Sequence, residues 1–159
     1  MIPMRRKDRQ ITDPDKIDAI IGACDCCRIG FADEGSVYLV PLSFGYEKTG
    51  ETRRFYFHGA PEGRKIRLIE AGHPVGFELD TKYELREAPD ACGYTAGFQS
   101  VIGTGTIRLL GTEEEKIYGL RRIMEHATGK DDWTFPEEML RCTAVFCLEV
   151  TELSCKEHT

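Results

Sequence analysis

The stretch from Arg53 to Ala71 (RRFYFHGAPEGRKIRLIEA) limits the possible folds of this chain more than any other. Phe55, Tyr56 and Phe57 are strong strand formers, and Gly59, Pro61 and Gly63 break the run before Ile66 and Ile69 open a short helix. The helix starts with Arg64 and Lys65, although a helix N-terminus carries partial positive charge and disfavours each such cation by roughly 0.3–1 kcal/mol. A broken local rule of this kind suggests an absent partner. A phosphate fits, because N–H groups, dipole and cations would all point at it. The alternative is a pair of solvated surface cations attracted by Glu62 and Glu70.

With 159 residues the chain is expected to form one domain, 1–159, burying roughly two-thirds of its unfolded surface. A net charge of −6 argues against a nucleic-acid partner, although Met4 to Gln10 (MRRKDRQ) is a small basic cluster. Residues 1–11 are expected to be a flexible arm and residues 153–159 a tail. No apolar run approaches the roughly 20 residues that span a bilayer, and no signal peptide is visible, so no membrane role and a cytoplasmic location are expected. Seven cysteines without a secretory signal read as reduced thiols.

In chain order, Asp13-Pro14 starts a helix with Ile17, Ile20, Ile21 and Cys24 on one face, ending near Cys26. Cys27 to Phe31 and Val37 to Phe44 form a hairpin around the turn Asp33-Glu34-Gly35-Ser36. Pro41, inside the second strand, marks an edge, a bulge or a place where a ligand meets the backbone. Glu47 to Thr52 reads as a polar loop, Arg53 to His58 as the third strand and Val75 to Leu79 as the fourth. Lys82 to Glu87 suggests an extended edge. Phe98 to Leu110 reads as a long strand whose Gly103 and Gly105 imply close approach of a backbone or ligand, or else a bulge or barrel corner. Thr112 to Glu115 is a capping box opening the longest helix, whose apolar stripe runs to a stop at Gly129. A short helix follows Pro136, and Thr143 to Val150 is the final strand. Helices and strands do not alternate regularly, which favours an antiparallel α+β barrel over a parallel sheet.

Cys24, Cys26 and Cys27 invite a metal reading, but no second ligand pair accompanies them, so no metal is expected and structural thiols are preferred. His58 ends an aromatic strand beside Gly59, where an imidazole could bond a ligand or take up a proton near neutral pH. His126 and His158 read as surface residues, and His73 as a helix-cap residue. No nucleophile elbow, Walker loop, zinc-protease motif or paired-carboxylate signature is present.

The run Phe57 to Ile69 (FHGAPEGRKIRLI), with Val40-Pro41-Leu42 upstream and Gln99-Ser100-Val101-Ile102-Gly103 downstream, resembles the FMN-binding split-barrel superfamily. Within it the chain is similar to the pyridoxamine 5′-phosphate oxidase-related branch that includes nitroimidazole-resistance (Nim) reductase-like proteins. The resemblance implies a six-stranded antiparallel split β-barrel with flanking helices, dimeric, with FMN at the subunit interface. It assigns Gly63, Arg64 and Lys65 to the FMN phosphate and Gln99 and Ser100 to phosphate or ring edge. Val40, Pro41 and Leu42 meet the ring through their backbone, and His58, with Gly59 beside it, lies by flavin and substrate. Relatives often carry Arg where this chain has Gln99. The implied activity is hydride transfer from NADH or NADPH through FMN to a small organic acceptor such as a nitroaromatic. The alternative is a flavin- or phosphate-ligand-binding carrier or sensor without turnover.

Overall fold

The computed structural model describes residues 2–159. Eight strands and four helices follow one another as β1 (Gln10–Ile11), α1 (Pro14–Ala23), β2 (Cys27–Asp33), β3 (Ser36–Leu42), β4 (Gly45–Thr49), β5 (Thr52–Gly59), α2 (Arg64–Ala71), β6 (Val75–Arg86), β7 (Thr95–Leu109), α3 (Glu113–Thr128), α4 (Glu137–Arg141) and β8 (Ala144–His158). All pairings are antiparallel, in the order β3-β2-β6-β7-β8-β5-β4, with β1 added on β8. β7 pairs along the length of β8, whereas β5 and β1 take different parts of the other edge of β8. This is consistent with the expected antiparallel α+β split barrel, except that the sheet is an unclosed path of eight strands rather than a barrel of six.

Local signals placed the helices well. The Asp13 side chain accepts from the Asp15 N–H at 3.1 Å, with Pro14 at the first helical position. Thr112 accepts from the Glu115 N–H at 3.1 Å, and Gly129 ends α3 with a left-handed φ of 80°. α1 stops at Ala23 rather than near Cys26.

The strand corrections share one cause, which is pairing with a partner distant in sequence. The supposed loop Glu47 to Thr52 contains most of β4, whose Tyr46 packs against the core and donates to Asp18 at 2.6 Å. The supposed tail 153–159 is the far half of β8, held between β7 and β1. Within the supposed arm, Gln10 and Ile11 pair with Lys156 and Cys155, while Arg6 bonds Asp8 at 2.7 Å. Lys82 to Arg86 continue β6 past a bulge where Lys82 has φ 57°, pairing with β7 on one side and lying beyond β2, which pairs β6 only at Gly76 to Glu78. This stretch is the extended edge expected, and Glu87 falls just outside it.

The core lies on one face of the curled sheet, where Ile29, Phe31, Phe55, Phe57, Phe77, Leu79, Val101, Phe146 and Leu148 pack with α1 and α2. α3 covers a smaller cluster of Tyr56, Leu110, Ile123, Val145 and Cys147 on the opposite face. Both faces of the first half of β8 are therefore buried, which explains its unbroken apolar run. Gly103 and Gly105 answer to backbone: a Cβ at Gly103 would stand 2.2 Å from the Glu152 carbonyl oxygen, and one at Gly105 2.5 Å from that of Glu149. Between them the register slips past Thr151, so close approach and bulge coincide. No helix among the described residues is long and apolar enough to cross a membrane.

Candidate functional site

The corner begins where β5 ends. Phe55 and Phe57 point into the core, so His58 falls on the other face, exposed and without a hydrogen bond among the described residues. Gly63 then adopts φ 122°, a region open to glycine and hostile to other residues, and α2 starts without a side-chain cap or an acidic residue in its first turn. The first-turn N–H groups and dipole are thus presented bare. Lys65 folds back towards the end of β5, where a Cβ on Gly59 would lie 3.3 Å from its Nζ, and it makes no ion pair among the described residues. These are the donors an anion needs.

Arg64 departs from the expected missing partner. Its Nε donates to Asp33 Oδ2 at 2.9 Å, and its guanidinium lies 4.3 Å from the Tyr38 ring centroid. Arg67, one turn on, donates to the same carboxylate from Nη2 at 3.1 Å. The Asp33 side chain is only 9% exposed, and the hydrogen bond from Arg67, then that from Arg64, holds its carboxyl below the usual carboxylate range. Glu62 and Glu70 take no part in these contacts. Asp33 and Tyr38 escaped the sequence reading because the hairpin turn reads as a turn only. The one available signal was that Arg64 and Arg67 are spaced i, i+3 on one helix face.

β3 lies beside this corner and is one edge of the sheet, one of the places Pro41 suggests. Val40 and Leu42 sit opposite buried Ile29 and Cys27 and pack against the core, so only their backbone is available to a ligand. Pro41 faces outward with Arg28. That outward face is uncovered, with Val37 72%, Leu39 69% and Ile102 53% exposed.

Gln99 and Ser100 lie elsewhere. Gly59 pairs with Ala144, whereas Ser100 pairs with Lys156, twelve positions further along β8. At about 3.3 Å per residue this is on the order of 40 Å of strand path. The Gln99 amide donates to Glu157 at 2.6 Å, and its Oε1 is buried without a partner. Ser100 shares a cavity of about 480 Å³ with Lys7, Gln10 and Lys156. A single chain therefore unites β3, His58, Gly59, Gly63, Arg64 and Lys65, and leaves Gln99 and Ser100 apart.

Other candidates resolve more simply. Cys24, Cys27, Cys147 and Cys155 are buried, and burial pushes the Cys24 thiol up to about 12. No group of metal-ligating side chains occurs among the described residues. His126 is half-buried with Nε2 2.7 Å from the Cys24 carbonyl oxygen, and His158 Nδ1 lies 2.7 Å from that of Ala96, so neither is a free surface residue. Trp133 is tied back to α3 through its indole N–H to Thr128 and its carbonyl to Arg121.

An open antiparallel sheet with flanking helices is consistent with the α+β split-barrel class, and a cationic, uncapped helix start follows its aromatic strand β5. Residues 13–157 match the family profile described as Pyridoxamine 5′-phosphate oxidase, and the chain belongs to that family. Among solved structures, a candidate 5-nitroimidazole antibiotic resistance protein from Bacteroides thetaiotaomicron is similar, with 30% identity over 93% of this chain and 86% of that one and a TM-score of 0.80. The flavocytochrome Anf3 from Azotobacter vinelandii is 24% identical over 99% of this chain and 72% of its own, with a TM-score of 0.81. The FAD and heme binding protein from Mycobacterium smegmatis is 16% identical over 94% and 73%, with a TM-score of 0.76. The last two share the fold. No curated protein sequence matches significantly.

Proposed function

We propose that this protein is an FMN-dependent oxidoreductase that works as a homodimer on a small organic acceptor, with NADH or NADPH as donor. The observation that carries the reading is the start of α2, which combines an uncapped first turn, the unpaired Lys65 ammonium and the free Nη groups of Arg64 in a chain of the Pyridoxamine 5′-phosphate oxidase family. These residues fit a phosphate ester: Gly63 presents backbone N–H groups, while Lys65 and Arg64 supply charge. The edge backbone of Val40, Pro41 and Leu42 is free to meet a flat ring system. Bound there, FMN would supply a two-electron redox centre, and the protein contributes position and electrostatics. His58, exposed and unbonded at the end of β5, is the group available to hold or give a proton to a substrate.

The homodimer is supported by geometry of two kinds. Ser100 and Gln99, on β7, lie beside the far end of β8 from the corner, and a second copy would bring them to the same ligand. The uncovered outer face with Val37, Leu39 and Ile102 offers the apolar surface for such an interface. The B. thetaiotaomicron relative directs attention to nitroaromatic acceptors.

The test is a visible spectrum of the purified protein, then anaerobic NADH and NADPH oxidation with a nitroimidazole acceptor. The expected result is a yellow protein with about one FMN per subunit that turns over. A colourless protein that ignores added FMN would overturn the flavin reading. A yellow protein without turnover with either donor would leave flavin binding without catalysis, the carrier or sensor alternative.

A further inference from the structure

The contacts of Arg64 go beyond supplying a positive charge. Its three donor nitrogens are used unequally: Nε is committed to Asp33 Oδ2 at 2.9 Å, while neither Nη makes a hydrogen bond among the described residues. The guanidinium plane rests on Tyr38, with Cζ 4.3 Å from the ring centroid, so rotation about the end of the side chain is limited from a second direction. Asp33 is itself fixed, because the Ser36 hydroxyl donates to its carbonyl oxygen at 2.7 Å across the hairpin turn. Arg67 spans the carboxylate, through Nη1 to Oδ1 at 3.4 Å and Nη2 to Oδ2 at 3.1 Å, sharing Oδ2 with Arg64. Arg67 thereby offsets the acid's charge, and the corner with Lys65 remains net positive despite an internal carboxylate.

We propose that Asp33 and Tyr38 are positioning residues that clamp Arg64 by its Nε and its face, so that its two Nη groups are aimed at a phosphate. This rests on the flavin reading above, and assigns to the turn end of the β2–β3 hairpin a part in phosphate binding although Asp33 and Tyr38 themselves make no contact to the ligand. The physical advantage is preorganisation: a free arginine loses side-chain entropy when it binds an anion, whereas a clamped one has lost it on folding. Asp33, the last residue of β2, also joins that strand to α2, so the clamp forms only in the folded chain.

The test combines a ligand-free readout with a double-mutant cycle. In the ligand-free protein, the Arg64 Nε–H signal in a nitrogen–proton NMR spectrum is expected to be distinct and protected from exchange, and to lose that protection in Asp33→Ala. FMN and riboflavin affinities are then measured by fluorescence quenching for wild type, Asp33→Ala, Tyr38→Leu, Arg64→Ala and Asp33→Ala/Arg64→Ala. Asp33→Ala is expected to weaken FMN about tenfold, about 1.4 kcal/mol, to leave riboflavin unchanged because it lacks the phosphate, and to add little in the Arg64→Ala background. Tyr38→Leu is expected to weaken FMN to a smaller extent. FMN affinity unchanged or raised by Asp33→Ala overturns the clamp while leaving the flavin reading standing. An equal loss with and without Arg64, or an equal loss for riboflavin, reduces Asp33 to a structural staple and also overturns it. Wild type that binds neither FMN nor riboflavin overturns the flavin reading and the phosphate role of the clamp together, even with the Nε–H protected.

Discussion

The α2 corner and the seam between α3 and the sheet both depend on glycine, for opposite reasons. At the seam, Gly45 on β4 meets the backbone of α3: a Cβ there would stand 2.4 Å from Arg122 C and Ile123 N. Gly119 answers from the helix, where a Cβ would come within 2.9 Å of Val145. The Glu47 carboxylate then ties the layers by accepting from the Tyr56 hydroxyl at 2.6 Å and from the Tyr118 hydroxyl. At the corner, Gly63 has open space around it and is needed only for its φ of 122°. A glycine that permits contact supports the fold, whereas a glycine that permits a backbone angle can present N–H groups to a ligand. Substitutions in the two regions should therefore separate stability from binding.

The largest effect is expected at the seam. Gly45→Ala forces α3 away from β4, and a loss of about 3 kcal/mol or more is expected, with Tm lowered by about 6–12 °C in a thermal melt. A melt indistinguishable from wild type would break the contrast at its stronger end. At the corner, Arg64→Ala is expected to weaken FMN by about 1.5–3 kcal/mol in a fluorescence titration while moving Tm much less than Gly45→Ala. Unchanged affinity would remove Arg64 from the site. Gly63→Ala should cost about 1–3 kcal/mol of backbone strain and weaken FMN as well, since the first-turn N–H groups would be re-aimed; an affinity equal to wild type would show that the φ of Gly63 serves the fold only.

Smaller effects sharpen the electrostatic side. The folded-state pKa of Asp33 is depressed by Arg67 and Arg64, so its contribution to stability is complete above the ordinary carboxylate value of about 3.9 and is lost as pH falls through the lower folded value. In urea unfolding, the difference between wild type and Asp33→Asn should be constant from about pH 5 to 7 and shrink below about pH 4; a difference that grows on acidification would contradict the sign. Least in energy is thiol access. Cys92 and Cys142 are exposed and should react with a thiol reagent in the native protein, whereas buried Cys24, Cys27, Cys147 and Cys155 should react only on unfolding.

The helices were legible because their signals are local: Asp13-Pro14, the Thr112–Glu115 box and Gly129 act within one turn of themselves. The same holds for Gly63-Arg64-Lys65, an anomaly visible without any partner. β4 and the far half of β8 were not legible, because Tyr46 and Lys156 become strand residues only when β5, β7 and β1 supply their hydrogen bonds. The sequence leaves Gly103 and Gly105 open between close approach of a backbone or ligand and a bulge, and only the register against β8 shows that both hold, with the backbone at Glu149 and Glu152 as the approaching group.

By itself, the order of residues determined an antiparallel α+β chain with a cationic helix start after an aromatic strand. Tertiary structure decided what that start faces. Asp33 and Arg64 are 31 residues apart, and no periodicity links them. The curl of the open sheet brings β2 to α2, so the charge that appeared unanswered along the chain is answered on one nitrogen and left free on the other two. It also set Ser100 and Gly59 at opposite ends of β8, because antiparallel pairing turns a difference in register into a distance in space.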